Sequence, residues 1–414
     1  MSRKAVLLKA NALDLPLADS SVDLIVTSPP YFALRSYQDE GKHYEGQLGA
    51  EATPKEFIDA LIMATSEMAR VLKPSGSIFV NLGDKYAGSN GQSGGTGETS
   101  KVHGFGSSGN QPKALRRNYV PKTSVRSKSL MGIPWRYALR CIDDLGLILR
   151  AEIIWAKTNG MPESVTDRVT RKHEQWFHFT KSEAYYSNID AIREASIAAP
   201  AKAQKSKVTT SKQGSNPTLL LEKDLEHNPL GKMPGSWWAI PTQPLKVPAD
   251  LGVEHFAAFP TEWPRRLILG WSPSHICTRC GEARQQKKER NYNGEISKVE
   301  QLRKLKVYGQ NNKSSTLHRT QYVSTTLGDI YCNCTDTTAP TRPAVVLDPF
   351  GGTGTTAAVA KALGRTGISV DLSADYLRLA DWRCNGDGYS TIYSKVHDTE
   401  TVDRPITGQG VLQI

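Results

Sequence analysis

The chain has 414 residues, 38% hydrophobic and 22% charged, with 52 Lys and Arg against 41 Asp and Glu for a formal net charge of +11. That length suits one elaborated domain or two, and no apolar run is long enough to span a bilayer, which argues against a membrane-spanning helix and for a soluble fold. The basic excess favours a polyanionic partner, a trait also shared by membrane-surface and ribosome-binding proteins.

The first stretch, "MSRKAVLLKANALDL", lacks the apolar core and small-residue cleavage site of a secretory signal, so a cytoplasmic chain is expected. "AVLLKA" and "SVDLIVTS" read as buried strands. From Pro54 to Leu72, Phe57, Ile58, Leu61, Ile62, Met68 and Leu72 recur at helical spacing. "KPSG" at Lys73 to Gly76 ends that helix, and "SIFVNLGD" reads as the next strand. A Gly- and Ser-rich stretch follows, too polar to order itself, and is expected to be a mobile loop. From Lys101 to Arg140 there are nine Lys or Arg and no Asp or Glu, interleaved with Tyr119, Trp135 and Tyr137. Such a run is either a solvated face or a phosphate-contacting loop with rings for stacking.

Beyond it, "PWRYALRCIDDLG" reads as a helix and "LILRAEIIWAK" and "HEQWFHFTKS" as strands. Lys- and Pro-rich sequence from Ala195 to Pro248 suggests a loop-rich insertion. The last region, Ala344 to Cys384, reads strand, glycine loop, helix, strand, helix. Here Val345 to Leu347 form a buried strand, Gly351, Gly352 and Gly354 a tight turn, and an Ala-rich helix begins near Thr355. About 20 residues on stands Asp371, where nucleotide-binding sheets place an acid to hold ribose hydroxyls. The loop is not GxGxxG and lacks the GK[ST] ending of a triphosphate cradle.

Two motifs then carry a family resemblance. Asp348-Pro349-Phe350-Gly351-Gly352-Thr353-Gly354-Thr355-Thr356 resembles the S-adenosylmethionine loop of amino-group DNA methyltransferases, and Ser28-Pro29-Pro30-Tyr31 resembles their catalytic motif. Catalytic motif first and cofactor loop last is the permuted, beta-class order. The resemblance covers residues 5 to 85, 129 to 193 and 252 to 390, less an insertion. It implies that Ser28 and the Pro29 carbonyl hold an exocyclic amine, with Pro30 fixing the backbone and Tyr31 stacking on a flipped base. Asp348, Pro349, Phe350, Gly352, Gly354, Thr355 and Asp371 would then bind the cofactor. Asn11 stands where the family usually has an Asp near the adenine, and Phe259 and Pro260 of "HFAAFPTEWP" are further cofactor contacts by the same resemblance. Arg35, Arg116, Arg117, Lys122, Arg126 and Lys128 are the candidate DNA contacts.

Of the six cysteines, Cys141 and Cys384 fall in helices and read as buried hydrophobes. Cys277, Cys280, Cys332 and Cys334 form Cys-x2-Cys and Cys-x-Cys pairs with 51 residues between them. Four thiolates fit a tetrahedral structural zinc, with His275 as a substitute ligand; four reduced cysteines in a loop is the alternative.

The expected fold is α/β, a Rossmann-like class I methyltransferase with a mostly parallel sheet and helices on both faces, a DNA-recognition region and a zinc-stapled insertion. The expected segments are 1–87 (catalytic half), 88–128 (basic loop), 129–194 (core), 195–250 (variable, target recognition), 251–275 (beside the cofactor), 276–338 (zinc insertion), 339–390 (cofactor half) and 391–414 (tail). The resemblance implies methyl transfer to double-stranded DNA, with cytosine N4 favoured by Ser28 and adenine N6 second. A cognate restriction enzyme is a possible partner. A catalytically inactive zinc-containing DNA-binding protein is the alternative of another class, and methylation of RNA or of protein glutamine shares the chemistry.

Overall fold

The computed structural model describes residues 5–33, 38–39, 42–43, 47–88, 125–160, 162–194, 231–245, 247–248, 251, 258–292, 322–332, 334 and 338–398. Its centre is an eight-stranded sheet. In chain order the strands are β1 (Ala5–Lys9), β2 (Val22–Thr27), β3 (Leu72–Leu82), β4 (Ile148–Ala156), β5 (His173–Thr180), β6 (Trp237–Ala239), β7 (Val345–Asp348) and β8 (Thr366–Asp371). Across the sheet they run β1-β8-β7-β2-β3-β5-β4-β6. β1, β8, β7, β2 and β3 are parallel neighbours, β5 is antiparallel to both β3 and β4, and β6 lies parallel to β4 at the edge.

Both faces of the sheet are covered, which is why β2 reads as an unbroken apolar run rather than an alternating one. Ile25, Ile78, Val80 and Leu347 pack on one side with helices α1 (Pro54–Val71) and α2 (Ile133–Asp143). Leu24, Val26, Phe79 and Val346 pack on the other with α3 (Glu262–Trp271) and α4 (Thr355–Ala362). Two further helices, α5 (Ala374–Cys384) and α6 (Tyr389–His397), complete the C-terminal half.

Helix α1 starts where its sequence dictates. Thr53 Oγ1 accepts from the Glu56 amide at 3.1 Å and the Glu56 carboxylate accepts from the Thr53 amide at 3.1 Å, a reciprocal cap with Pro54 in the first turn. Its buried face presents Phe57, Leu61 and Met68, each worth about 2 kcal/mol on leaving water. The helix stops at Val71 and Leu72 enters β3 directly. Pairing with β2 jumps from Val22–Leu72 to Leu24–Ser77, so Lys73 to Gly76 loop out of the ladder within one strand instead of separating helix from strand. Lys73 turns inward there to pair with buried Asp23.

Three other expectations are modified. The variable segment 195–250 is not wholly loop, because Trp237–Ala239 adds an edge strand to the sheet and Trp238 is buried. The tail expected from residue 391 is helical to His397, since Ile392 and Val396 bury against the core. The insertion is a hairpin, with Gln285–Tyr292 antiparallel to Tyr322–Tyr331, and its two ends are joined where Ile276–Cys277 pairs with Thr341–Arg342. Residues 89–124, 195–230 and 293–321 lie outside the described residues, and the mobile loop expected over 88–128 falls largely there.

Candidate active site

β7 feeds α4 and β8 on one side of the sheet, while its neighbour β2 leads to β3 on the other. Ligands of open α/β sheets sit beyond the carboxyl ends of the strands at such a reversal. The chain places its two informative motifs there: β2 ends at Thr27, before Ser28, and β7 ends at Asp348, before Pro349.

One cleft joins them. Its floor is Pro349 to Thr353 and Thr355, its walls are Asn11 to Leu13 after β1 and Asp371, Leu372 and Tyr376 after β8, and Ser28, Pro30 and Phe259 close it. The turn at its floor needs glycine. Gly354 sits at φ +72°, and an added Cβ would lie 2.9 Å from Ala380 Cβ and 3.0 Å from Cys384 Sγ. Asp371 accepts from the Gly352 amide at 2.9 Å and from the Ser373 amide at 2.8 Å, so the acid ties the loop to the start of α5 while facing the cleft. Asn11 Oδ1 accepts from the Leu13 amide at 3.0 Å, which fixes its amide at the cleft wall.

Asp348, Gly354, Pro29, Pro260 and Tyr31 are not among the lining residues. Asp348 is turned into the protein, where Thr27 Oγ1 donates to it at 2.6 Å, Thr356 Oγ1 at 3.0 Å and the Phe350 amide at 3.1 Å. Burial raises its carboxyl to about 6 against the opposing effect of those donors. Its place is therefore structural: it ties the end of β7 to the end of β2. Pro260 is buried and its carbonyl accepts from the Trp263 amide at 3.2 Å, at the start of α3. Behind Phe259 stands a tryptophan stack, Trp176, Trp263 and Trp238, with centroid spacings of 4.8 and 4.9 Å.

Tyr31 stands next to the cleft. Its hydroxyl lies 2.7 Å from Asn81 Oδ1 and 2.7 Å from Glu174 Oε2, and Lys157 pairs with the same carboxylate. The ring edge rests on Gly83, where a Cβ would come within 2.8 Å of Tyr31 Cε2. Asn81 also accepts from Ser28 Oγ at 3.3 Å and donates to the Gln175 carbonyl at 3.1 Å. One buried amide thus holds both polar side chains of the Ser-Pro-Pro-Tyr loop. Phe32, next in sequence, is buried against Phe57 at 5.5 Å and anchors the loop in the core. Asn81, Glu174, Gly83, Gln47, Leu48, Thr353, Leu372 and Tyr376 were not singled out by sequence. Only Thr353, inside the glycine motif, carried a signal that marks it.

The four cysteines converge. Cys277, Cys280, Cys332 and Cys334 place their sulfurs within 4.8 Å of one another, with Cys277 and Cys334 at 3.7 Å. A tetrahedron of about 2.3 Å Zn–S bonds has an edge of about 3.8 Å, whereas a disulfide needs about 2.05 Å. The four-sulfur donor set fits zinc, and the Cys277–Cys334 separation matches that edge, while Cys332 and Cys334, at 3.1 Å, stand closer than it. Backbone N–H groups of Cys280 and Arg279 point at Cys277 and help lower its thiol to about 6. His275 is exposed, hydrogen-bonds Ser274 at 2.9 Å and is not part of the cluster.

Among the DNA-contact candidates, Arg126 and Lys128 are exposed, and Lys128 pairs with Asp167 at 2.7 Å. Arg35, Arg116, Arg117 and Lys122 lie outside the described residues. Cys141 and Cys384 are buried in α2 and α5 as expected, and burial pushes both thiols up to about 12. No helix among the described residues is long and apolar enough to cross a membrane.

Comparison with known proteins adds the family. The sequence profile described as DNA methylase, which groups N6 and N4 enzymes, matches residues 22–275 and 279–381. The type II methyltransferase M.XycI of Xanthomonas campestris pv. cyanopsidis is 39% identical over 196 residues, 46% of this chain and 59% of that relative. M.Cfr9I of Citrobacter freundii is 39% identical over 194 residues, with the same 46% and 59% coverage. The chain therefore spans less than two thirds of the length of these relatives. In fold it is similar to the PvuII DNA methyltransferase (cytosine-N4-specific), with a TM-score of 0.50, 16% identity, and coverage of 96% of this chain and 93% of that one. With the profile matching from β2 into α5, the chain belongs to the N6/N4 DNA methylase family.

Proposed function

We propose that this protein transfers a methyl group from S-adenosylmethionine to the exocyclic amine of a base flipped out of duplex DNA, with cytosine N4 as the target. The observation that carries the reading is a single cleft lined by both Ser28 and Pro30 of the amine-binding loop and by the Pro349 to Thr355 glycine loop with Asp371.

The cofactor, when bound, supplies an electrophilic sulfonium methyl. The chain's residues do the rest. Asp371, which faces the cleft, would accept from ribose hydroxyls, and Asn11 and Leu372, lining the same wall, would border the adenine. Ser28 donates its proton to Asn81, which leaves its oxygen lone pairs to accept from the target amine. The Pro29 carbonyl is the second acceptor, on a backbone that two prolines hold rigid. Two acceptors gripping the amine hydrogens would turn its lone pair toward the methyl, the alignment that transfer requires. The amine proton becomes acidic only after transfer, so no strong base is needed beforehand. Tyr31, held at its hydroxyl, offers a ring face to the flipped base.

By the family resemblance, a Ser before the Pro29-Pro30 pair supports cytosine over adenine. The names of the type II methyltransferase relatives support the same enzyme class, for which a restriction enzyme of matching specificity is the expected partner. The four thiolates support a structural zinc that pins the insertion, with no open position for catalysis. Arg126 and Lys128 are exposed basic residues, which supports a part for them in meeting phosphates. The test is transfer of labelled methyl to duplex DNA followed by nucleoside mass spectrometry. N4-methylcytosine is the expected product; N6-methyladenine alone overturns the base assignment, and no transfer on varied DNA despite cofactor binding favours a binding protein.

A further inference from the structure

Arg383, in the last turn of α5, is 5% exposed. Its guanidinium donates to the Thr353 carbonyl at 2.9 Å, to Thr355 Oγ1 at 2.8 Å and to Thr353 Oγ1. All three acceptors are neutral, and among the described residues no carboxylate forms an ion pair with it. Burial draws its pKa down to about 10, which leaves it cationic at neutral pH. A buried cation without a counter-ion is costly, and such groups persist where an anion completes the arrangement.

The hydroxyl protons indicate where that anion sits. Thr353 Oγ1 and Thr355 Oγ1 both accept from Arg383 and lie 3.3 Å apart. At most one of their two protons fills the space between them, so at least one must point elsewhere. Both threonines are buried, at 2% and 3% exposure, and both line the cleft. The amide end of α4 opens at the same place, adding its partial positive charge.

We propose that Arg383 is a positioning residue that polarises the Thr353 and Thr355 hydroxyls into an anchor for the carboxylate of the cofactor's amino-acid tail. The proposal rests on the cofactor reading above, in which the glycine loop holds the cofactor's tail, and goes beyond it by giving Arg383, outside that loop, the task of orienting its hydroxyls. Anchoring the tail there sets the reach of the sulfonium toward Ser28.

The test compares two probes on the full-length protein by calorimetry: S-adenosylhomocysteine, which carries the carboxylate, and 5′-methylthioadenosine, which has no amino-acid tail. Arg383→Met is expected to weaken the first by roughly tenfold to a hundredfold, the range of a charge-assisted hydrogen bond, while changing the second by less than about twofold. Arg383→Lys is expected to recover part of the loss. Thr355→Val keeps the side-chain volume and removes one hydroxyl, so it reads the same selectivity if the Arg383 variants fold poorly. Equal weakening of both probes, or of neither, overturns the proposal and leaves Arg383 as a support of loop shape. Failure of the wild-type protein to bind either probe would instead overturn the cofactor reading itself.

Discussion

Replacing Asn81 by alanine removes a side chain that hydrogen-bonds both Ser28 and Tyr31. The residue is 1% exposed, so water does not replace what is lost. Its contacts to Ser28 at 3.3 Å and to Tyr31 at 2.7 Å disappear, and the Gln175 carbonyl loses its donor at 3.1 Å. At about 1 kcal/mol for each hydrogen bond, plus the cost of a buried acceptor left short of a partner, stability falls by roughly 2–4 kcal/mol. Glu174 still holds the Tyr31 hydroxyl, so the ring stays near its place, but Ser28 is free to rotate. Misplacing an amine acceptor in a near-attack geometry lowers kcat by roughly tenfold to a hundredfold, with a smaller rise in KM for DNA. The assay is steady-state methyl transfer with saturating cofactor, alongside denaturant unfolding. A variant with wild-type kcat and reduced stability would refute the positioning role and make Asn81 a purely structural amide.

Other consequences are as direct. Asp371→Ala loses its bonds to the Gly352 and Ser373 amides as well as the ribose acceptor, so cofactor affinity drops by about tenfold or more in calorimetry; unchanged affinity counts against the ribose assignment. His178 is pushed down to about 3, chiefly by burial with Arg150 adding to it, and stacks on Phe79 at 4.2 Å. Its folded pKa lies below its unfolded value, so its contribution to stability is present above about pH 6.5 and is lost as pH falls toward 3. Between about pH 7.5 and about pH 5.5 the wild type should lose about 1.4 kcal/mol more than His178→Phe in urea unfolding, and equal losses would remove the buried-histidine account. The difference between the two proteins is the right readout because Asp348, raised to about 6, contributes the opposite slope between about pH 4 and pH 6 in both. Metal analysis of the reduced protein should give one zinc per chain, and Cys277→Ser with Cys332→Ser should abolish it; a metal-free wild type purified without chelators contradicts the tetrathiolate site.

What sequence made legible was whatever local chemistry forces. Phe57, Leu61 and Met68 at helical spacing marked the helix, while its reciprocal Thr53–Glu56 cap came to light only in the structure. The glycine loop was readable because a Cβ at Gly354 has no space, so the residue choice itself records the close approach. Ser28 and Asp371 were found because each motif ends a strand, and strand ends in a parallel sheet face one edge. Side-chain direction was not readable. Asp348 belongs to the cofactor motif by spelling, yet Thr27, 321 residues away, draws it inward. The support of Tyr31 was hidden for the same reason, since Asn81 and Glu174 lie 50 and 143 residues from it. Gln47 and Leu48 enter the cleft from an irregular segment with no period to betray them. Helix α6 escaped notice because only two buried apolar residues, Ile392 and Val396, mark it.

The most direct measurement is to express the protein in a host that lacks DNA methylation and then map modified bases across the genome. N4-methylcytosine confined to one recurring sequence, and lost with Ser28→Ala, is the predicted result. A genome without new modification, or one carrying N6-methyladenine alone, would contradict the assignment of the Ser28 loop to cytosine.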